Sequence, residues 1–289
     1  CAKSANVSNA RAVFDASMKQ EIVLWNVMIM ACAQNDDARG ALQLFDGLYQ
    51  EGLLPDKVTF LNTISEPDNN YVRQGLWMHT RVIASIWNSD IQVQTALLHM
   101  YGKLGSTNDA HKMFDNMFEW DVVCWNAMIS VHVQHGLSDI ALQHFNRMQE
   151  EGMLPNNVTI TTILSSFADG TLLSVGKHIH SQIFGNGMKS DVFVGNALIS
   201  MYSKCGHMKD AHEQFDSMLS RDNITWNTLI GGYAQSDDAY VVMNLFCKMC
   251  LQGIPPDQAT YVSMLSAFVN ESFWVVDCKE SDFAMKALV

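Results

Sequence analysis

Positive charge is scarce in this sequence. Eighteen Lys and Arg stand against 30 Asp and Glu, a formal net charge of −12. That balance argues against a protein that holds nucleic acid mainly by coating its phosphates with cations. Proline is rarer still, at five residues, and no Ser/Gly-rich stretch occurs, so no long linker is expected. No apolar run approaches the roughly 20 residues needed to span a bilayer, which predicts no membrane insertion. There is no phosphate-cradling glycine loop, and no Ser/His/Asp or Cys/His arrangement suggests a nucleophile. No catalytic residue, cofactor or small-molecule substrate is therefore expected. The seven cysteines are odd in number and scattered, which favours free thiols in a reducing compartment. The chain opens CAKSANVSNARAVF, without Met or a signal-like apolar core. This reads as the start of a fragment, with any targeting segment upstream.

What is present is apolar and periodic. Hydrophobic residues make up 48% and charged residues 17%, enough for a large core and too few charges for disorder. The stretches IVLWNVMIM (22–30), VVCWNAMIS (122–130) and NITWNTLIG (223–231) share a Trp-Asn followed by a Met/Leu-Ile pair. Trp25, Trp125 and Trp226 are separated by 100 and 101 residues. Pro55, Pro155 and Pro256 keep the same separations, as do Phe14, Phe114 and Phe215. His79 and His180 are 101 apart, and so are Tyr101 and Tyr202. Within the first two blocks, pairs starting before position 60 are offset by 100 and those after 75 by 101. One residue has been lost between them, in or near SEPDNNYVRQ.

Each block subdivides at its Trp-Asn and Pro-Asp/Asn landmarks. Full units fall at 22–56, 57–90, 91–121, 122–156, 157–191, 192–222 and 223–257, with lengths of 35, 34, 31, 35, 35, 31 and 35. A partial unit occupies 1–21, a degenerate one begins at 258–268, and 269–289 is a degenerate tail. Inside 122–156, Trp125, Met128, Ile129 and His132 lie on one helical face. Gly136 should break that helix, and Ser138 is a candidate N-cap for the next. Ala141, Phe145 and Met148 form a second face, stopped by Gly152 and Pro155. A lone helical hairpin cannot bury two such faces, but stacked hairpins can. The expected fold is all-α, an α-solenoid of stacked helix-turn-helix units over 1–268.

The stretches DVFVGNALISMYSKCGHMKDAHEQFDSMLSRD, NITWNTLIGGYAQ and EEGMLPNNVTITTILSSFADGTLLSVGKHIHSQIF resemble pentatricopeptide repeats. The 35/35/31 alternation is similar to the plant PLS subclass. The resemblance covers residues 1 to about 268. It implies a right-handed superhelix that binds single-stranded RNA, one base per repeat, in a mitochondrion or chloroplast. It also implies a role in C-to-U editing. The C-terminal extension and deaminase (E/DYW) domains of many such factors are not in this sequence, so a deaminase would act in trans or from missing sequence.

The resemblance assigns base reading to the fifth and last residues of each unit. Asn suits this work because its amide offers donors and an acceptor side by side. Asn26 with Asp56, Asn196 with Asp222 and Asn227 with Asp257 resemble uracil readers. Asn126 with Asn156 resembles a reader of cytosine, then uracil. Thr95 with Asp121 resembles a guanine reader. The long units carry Leu61 with Asp90 and Thr161 with Asp191, which are left without a base. Val23, Val123, Phe193 and Ile224 would wedge or stack between bases, and Gln92 departs from that apolar pattern. The implied site is 5′-U-N-G-C/U-N-U-U-3′. The plainer reading of the same Asn and Asp residues is helix caps and solvated turns.

Two further motifs are weighed and set aside. Cys247 and Cys250 form a C-x-x-C pair, but Phe246 precedes it where a zinc deaminase has Pro, and no His is followed two positions on by Glu. His178 and His180 form His-x-His, yet His180 falls at the period with His79. No metal site is expected. The rival to RNA binding is a protein-binding solenoid, which the acidity favours and the recurring Asn with Asp/Asn disfavours. Roles in RNA splicing or stability would use the same base reading.

Overall fold

The aromatic landmarks of the period turn out to be contact pairs. Phe14 meets Trp25 edge-on with 4.8 Å between ring centroids, and Phe114–Trp125 and Phe215–Trp226 repeat the contact at 4.7 Å. Each Trp is buried. An aromatic ring of this size removes ~150–250 Å² from water, a gross gain on the order of 5 kcal/mol. The His and Tyr landmarks also pair. His79 Nδ1 lies 2.6 Å from the Tyr101 hydroxyl, and His180 Nδ1 lies 2.8 Å from that of Tyr202. These contacts come from a computed structural model, which describes residues 2–16, 21–64, 72–167, 173–185, 191–236 and 238–270. The tail expected over 269–289 lies, from 271 on, outside the described residues.

The described residues form helices and no strand. Two compact units divide the chain, Cys1–Pro155 and Asn156–Val289. The first holds α1 (Ala2–Asp15), α2 (Ile22–Ala33), α3 (Ala38–Gln50), α4 (Lys57–Ile64), α5 (Val72–Ile83), α6 (Ile91–Lys103), α7 (Thr107–Asp115), α8 (Val122–Gln134) and α9 (Ser138–Glu150). The second holds α10 (Asn157–Ser165), α11 (Leu173–Gly185), α12 (Val192–Lys204), α13 (Met208–Ser217), α14 (Asn223–Gln235), α15 (Ala239–Leu251) and α16 (Gln258–Asn270).

Within each unit the helices pack as a solenoid. The first helix of each hairpin lies on the first helix of the next: α2 on α4, α4 on α6 and α6 on α8 in one unit, α10 on α12, α12 on α14 and α14 on α16 in the other. Second helices pack on their own partners, as in α2 with α3, α8 with α9 and α12 with α13. The expected core face of α8 is buried throughout, at Trp125, Met128, Ile129 and His132, and so is that of α9 at Ala141, Phe145 and Met148. Close approach of first helices is set by small residues. A Cβ on Gly102 of α6 would stand 2.6 Å from Val131 Cγ2 of α8.

Helix ends follow the local sequence. Gly152 takes φ +78°, a conformation only glycine adopts without strain, and Met153 N–H reaches back to the Met148 carbonyl at 3.0 Å. Gly136 closes α8 in the same way, with Leu137 N–H on the His132 carbonyl at 2.9 Å. That closure seats Leu137 at the N-cap of α9, so Ser138 is the first helical residue and not the cap expected from sequence.

Candidate RNA interface

The last residue of every full repeat stands immediately before a first helix and caps it. Asp56 Oδ1 accepts from Thr59 N–H at 2.8 Å, and Asp257 Oδ1 from Thr260 N–H at 3.0 Å. Asp90, Asp121, Asn156, Asp191 and Asp222 cap α6, α8, α10, α12 and α14 in the same way. The plain reading of these residues as caps is therefore correct as far as it goes. It does not account for the Asn one turn inside the preceding first helix.

Packing of one first helix on the next brings that Asn to the cap. Asn26 of α2 donates its Nδ2 to both Asp56 oxygens, at 3.1 and 3.2 Å. Its Oδ1 accepts from the Thr59 hydroxyl at 2.7 Å. Asn227 of α14 repeats this with Asp257, at 3.0 Å to each oxygen, and with Thr260 at 2.6 Å. Its Nδ2 also lies 3.3 Å from Asn223 Oδ1. Asn196 of α12 donates to Asp222 at 3.3 Å, and its buried Oδ1 has no hydrogen-bond partner. The amide nitrogen always points to the carboxylate, because only the donor end of the amide can bond an anion.

The carboxylates are held charged. Burial works against the ionised form of Asp56, yet hydrogen bonds from Thr59 and Asn26 outweigh it and the pKa is lowered. Asp222 balances the same way against bonds from Thr225 and Asn196. At Asp257 the Thr260 backbone N–H leads the lowering.

The other expected pairs are arranged differently. Thr95 and Asp121 meet through Cys124: the Thr95 hydroxyl lies 2.9 Å from Cys124 Sγ, and Asp121 accepts from Cys124 N–H at 2.8 Å. The Thr161 hydroxyl turns back to the carbonyls of Asn157 and Val158. Asp191 is instead reached by Asn157 Nδ2 at 3.1 Å, and Asp90 by Lys57 Nζ at 2.8 Å. In both long repeats the first residue thus takes the last one. Asn126 stands on α8 in the first unit, and Asn156 opens the second.

In each unit, exposed apolar side chains stand one helical turn before these amides. Val23, Val123, Phe193 and Ile224 are 58–67% exposed, each at the second position of its helix. Val58 and Val158 occupy the same position in α4 and α10 and are also exposed. Sequence reasoning passed over these two, although their helix position carried the signal. The motifs set aside sit elsewhere. Cys247 and Cys250 lie on α15 with free thiols, and burial raises that of Cys250. No described helix is long and apolar enough to cross a membrane.

Comparison with known proteins matches these features to one family. Models of the PPR repeat match residues 23–53, 95–122 and 196–223, and a related PPR repeat family model matches 120–169 and 221–270. Together they cover more than half of the chain. A chloroplastic pentatricopeptide repeat-containing protein of Arabidopsis thaliana is 34% identical over 272 residues, 94% of this chain and 34% of its own length. A mitochondrial one is 34% identical over 269 residues, covering 92% and 39%. The chain thus spans about a third of the length of such relatives. Among solved structures, the pentatricopeptide repeat protein PPR10 in complex with an 18-nucleotide psaJ RNA element superposes with a TM-score of 0.72 at 17% identity, over 92% of this chain and 40% of that one.

Proposed function

The chain belongs to the pentatricopeptide repeat family, and we propose that it binds single-stranded RNA in a sequence-specific way, one base per repeat. The observation that carries this reading is the recurrence of one amide–carboxylate pair. In Asn26–Asp56, Asn196–Asp222 and Asn227–Asp257 the amide nitrogen donates to the carboxylate, a bond that capping does not require. The carboxylate fixes the amide's rotamer, so its free edge keeps a constant order of donor and acceptor. Uracil offers a carbonyl beside an N–H, the complement of that edge. The neighbouring apolar side chains supply stacking, which tolerates any base. With −12 net charge, affinity rests on stacking and base contacts more than on phosphates.

The proposed target is 5′-U-N-G-C/U-N-U-U-3′, with Asn126 and Asn156 reading the fourth base and Thr95 and Asp121 the third. The role proposed is placement of a cytidine for C-to-U editing by a deaminase in trans, with no catalysis by this chain. Relatives named as chloroplastic and mitochondrial support an organellar setting. The acidity supports a second reading, a solenoid that binds a protein.

Fluorescence anisotropy with U-N-G-C-N-U-U RNA tests the proposal. The control RNA changes the G and the two 3′ uracils. Preference for the first RNA, relaxed at one uracil by Asn227→Ala, supports base reading. A shallow fall of affinity with salt is also expected. Equal binding to both RNAs, or a steep salt slope, overturns it.

A further inference from the structure

Three histidines from consecutive helices converge in the first unit: His111 on α7, His132 on α8 and His144 on α9. One ring nitrogen from each lies within 4.8 Å of the other two. His132 and His144 stack face to face, 4.9 Å apart and 7° from parallel. They are 2% and 4% exposed. All four of their ring nitrogens are buried without a hydrogen-bond partner. His111 stands edge-on to both and reaches the surface, where its Nε2 lies 3.3 Å from Asp115 Oδ2.

The fold does not require histidine here. At the period, His144 corresponds to Leu44 and Leu245, both buried, and His132 to Cys32 and Tyr233. His111 corresponds to His212, whose Nδ1 is satisfied by the Tyr233 hydroxyl at 2.9 Å. The middle repeat has exchanged that Tyr for a second imidazole and an apolar Leu for a third. Buried polar groups of this kind are normally satisfied, and unpaired ones are unfavourable. Burial lowers the pKa of His132 and of His144 to about 4, so each keeps a lone pair at neutral pH.

We propose that His111, His132 and His144 bind a divalent transition-metal ion of the zinc type, with its fourth position left to water. Neutral imidazole suits zinc, cobalt, nickel and copper, and three His with one open position is an established zinc geometry. Zinc–nitrogen bonds of about 2.0–2.1 Å would draw the three nitrogens closer together than they stand now. Parallel stacked rings cannot both aim an in-plane lone pair at one ion, so binding also turns one of the two buried rings out of the stack, while His111, at the surface, is free to close on the ion. Asp115 orients it: a carboxylate holding Nε2–H leaves Nδ1 as the ligand atom. The Arg147 guanidinium would oppose a cation, but it is paired with Asp115 at 2.8 Å.

Cobalt titration of the metal-free 289-residue chain, followed by visible absorption, tests the site. Saturation at one ion per chain, displacement by zinc and a rise in Tm of several degrees with zinc are expected. His144→Leu installs the residue found at the equivalent seats, so it should keep the helical circular dichroism and lose the ion. His111→Ala should weaken binding about tenfold or more, and His178→Ala should leave it unchanged. Absent saturation, or binding that survives His144→Leu, overturns the proposal.

Discussion

Asn26→Ala separates base reading from fold maintenance, and its cost can be worked from the contacts. The substitution removes the amide's bonds to Asp56 at 3.1 and 3.2 Å and the bond from Thr59 at 2.7 Å. Neither partner is stranded. Asp56 keeps Thr59 N–H at 2.8 Å, and the Thr59 hydroxyl can turn fully to Asp56 Oδ1 at 2.9 Å. The loss is then the net worth of the bonds, about 1–2 kcal/mol, without the larger penalty of an orphaned group. Alanine's better helix propensity returns about 0.5 kcal/mol. The fold should lose about 1 kcal/mol in urea denaturation, by the difference of those two contributions.

RNA binding should respond differently. A good paired contact discriminates between bases by about 1–3 kcal/mol, or roughly 5- to 150-fold. Anisotropy with four RNAs that differ only at the first position of U-N-G-C-N-U-U reads this directly. Wild type should favour U there, and Asn26→Ala should bind all four alike, at the level of the poorest. A uniform drop that preserved the U preference would refute the reasoning. So would a stability loss above about 3 kcal/mol, which would make Asn26 a structural strut.

Phe193→Ala should weaken binding of every RNA by about 1–3 kcal/mol without base preference, since stacking is sequence-tolerant. Its side chain is 67% exposed, so the melting temperature should hold. Gly102→Ala should cost about 1–3 kcal/mol of stability, through overpacking at the α6–α8 contact, because the new methyl meets Val131 at 2.6 Å. Chemical denaturation checks it. Burial raises Tyr101 and Tyr202 from the ordinary 10 to about 12. The neutral phenol is favoured in the fold, so their contribution is complete below pH 10 and lost between about 10 and 12. Ultraviolet titration should find these two late, and Tyr101→Phe with Tyr202→Phe should flatten the alkaline loss of stability.

The fold was legible because its contacts repeat with the sequence. Phe and Trp recur together because they touch once in each block, where a 31-residue unit meets the next one, and His79 recurs as His180 because each meets a tyrosine hydroxyl. The interface was legible only in part, because an acid or amide at the repeat end does two things. As a cap it appears in every repeat and says nothing about pairing. What distinguishes the repeats is which group reaches the cap. At Asp56 and Asp257 it is the preceding Asn, locked by a Thr at the third helical position. At Asp121 that position holds Cys124, which takes both Thr95 and the cap. At Asp90 and Asp191 the first residue of the long repeat, Lys57 or Asn157, arrives instead. These choices depend on side-chain length across two helices, which a pairwise reading of fifth and last residues does not contain. His132 shows the same limit, since its core position followed from helical spacing but its meeting with His111 and His144 required three helices at once. A pairing rule for this chain therefore needs a third position, the one three residues into the next helix.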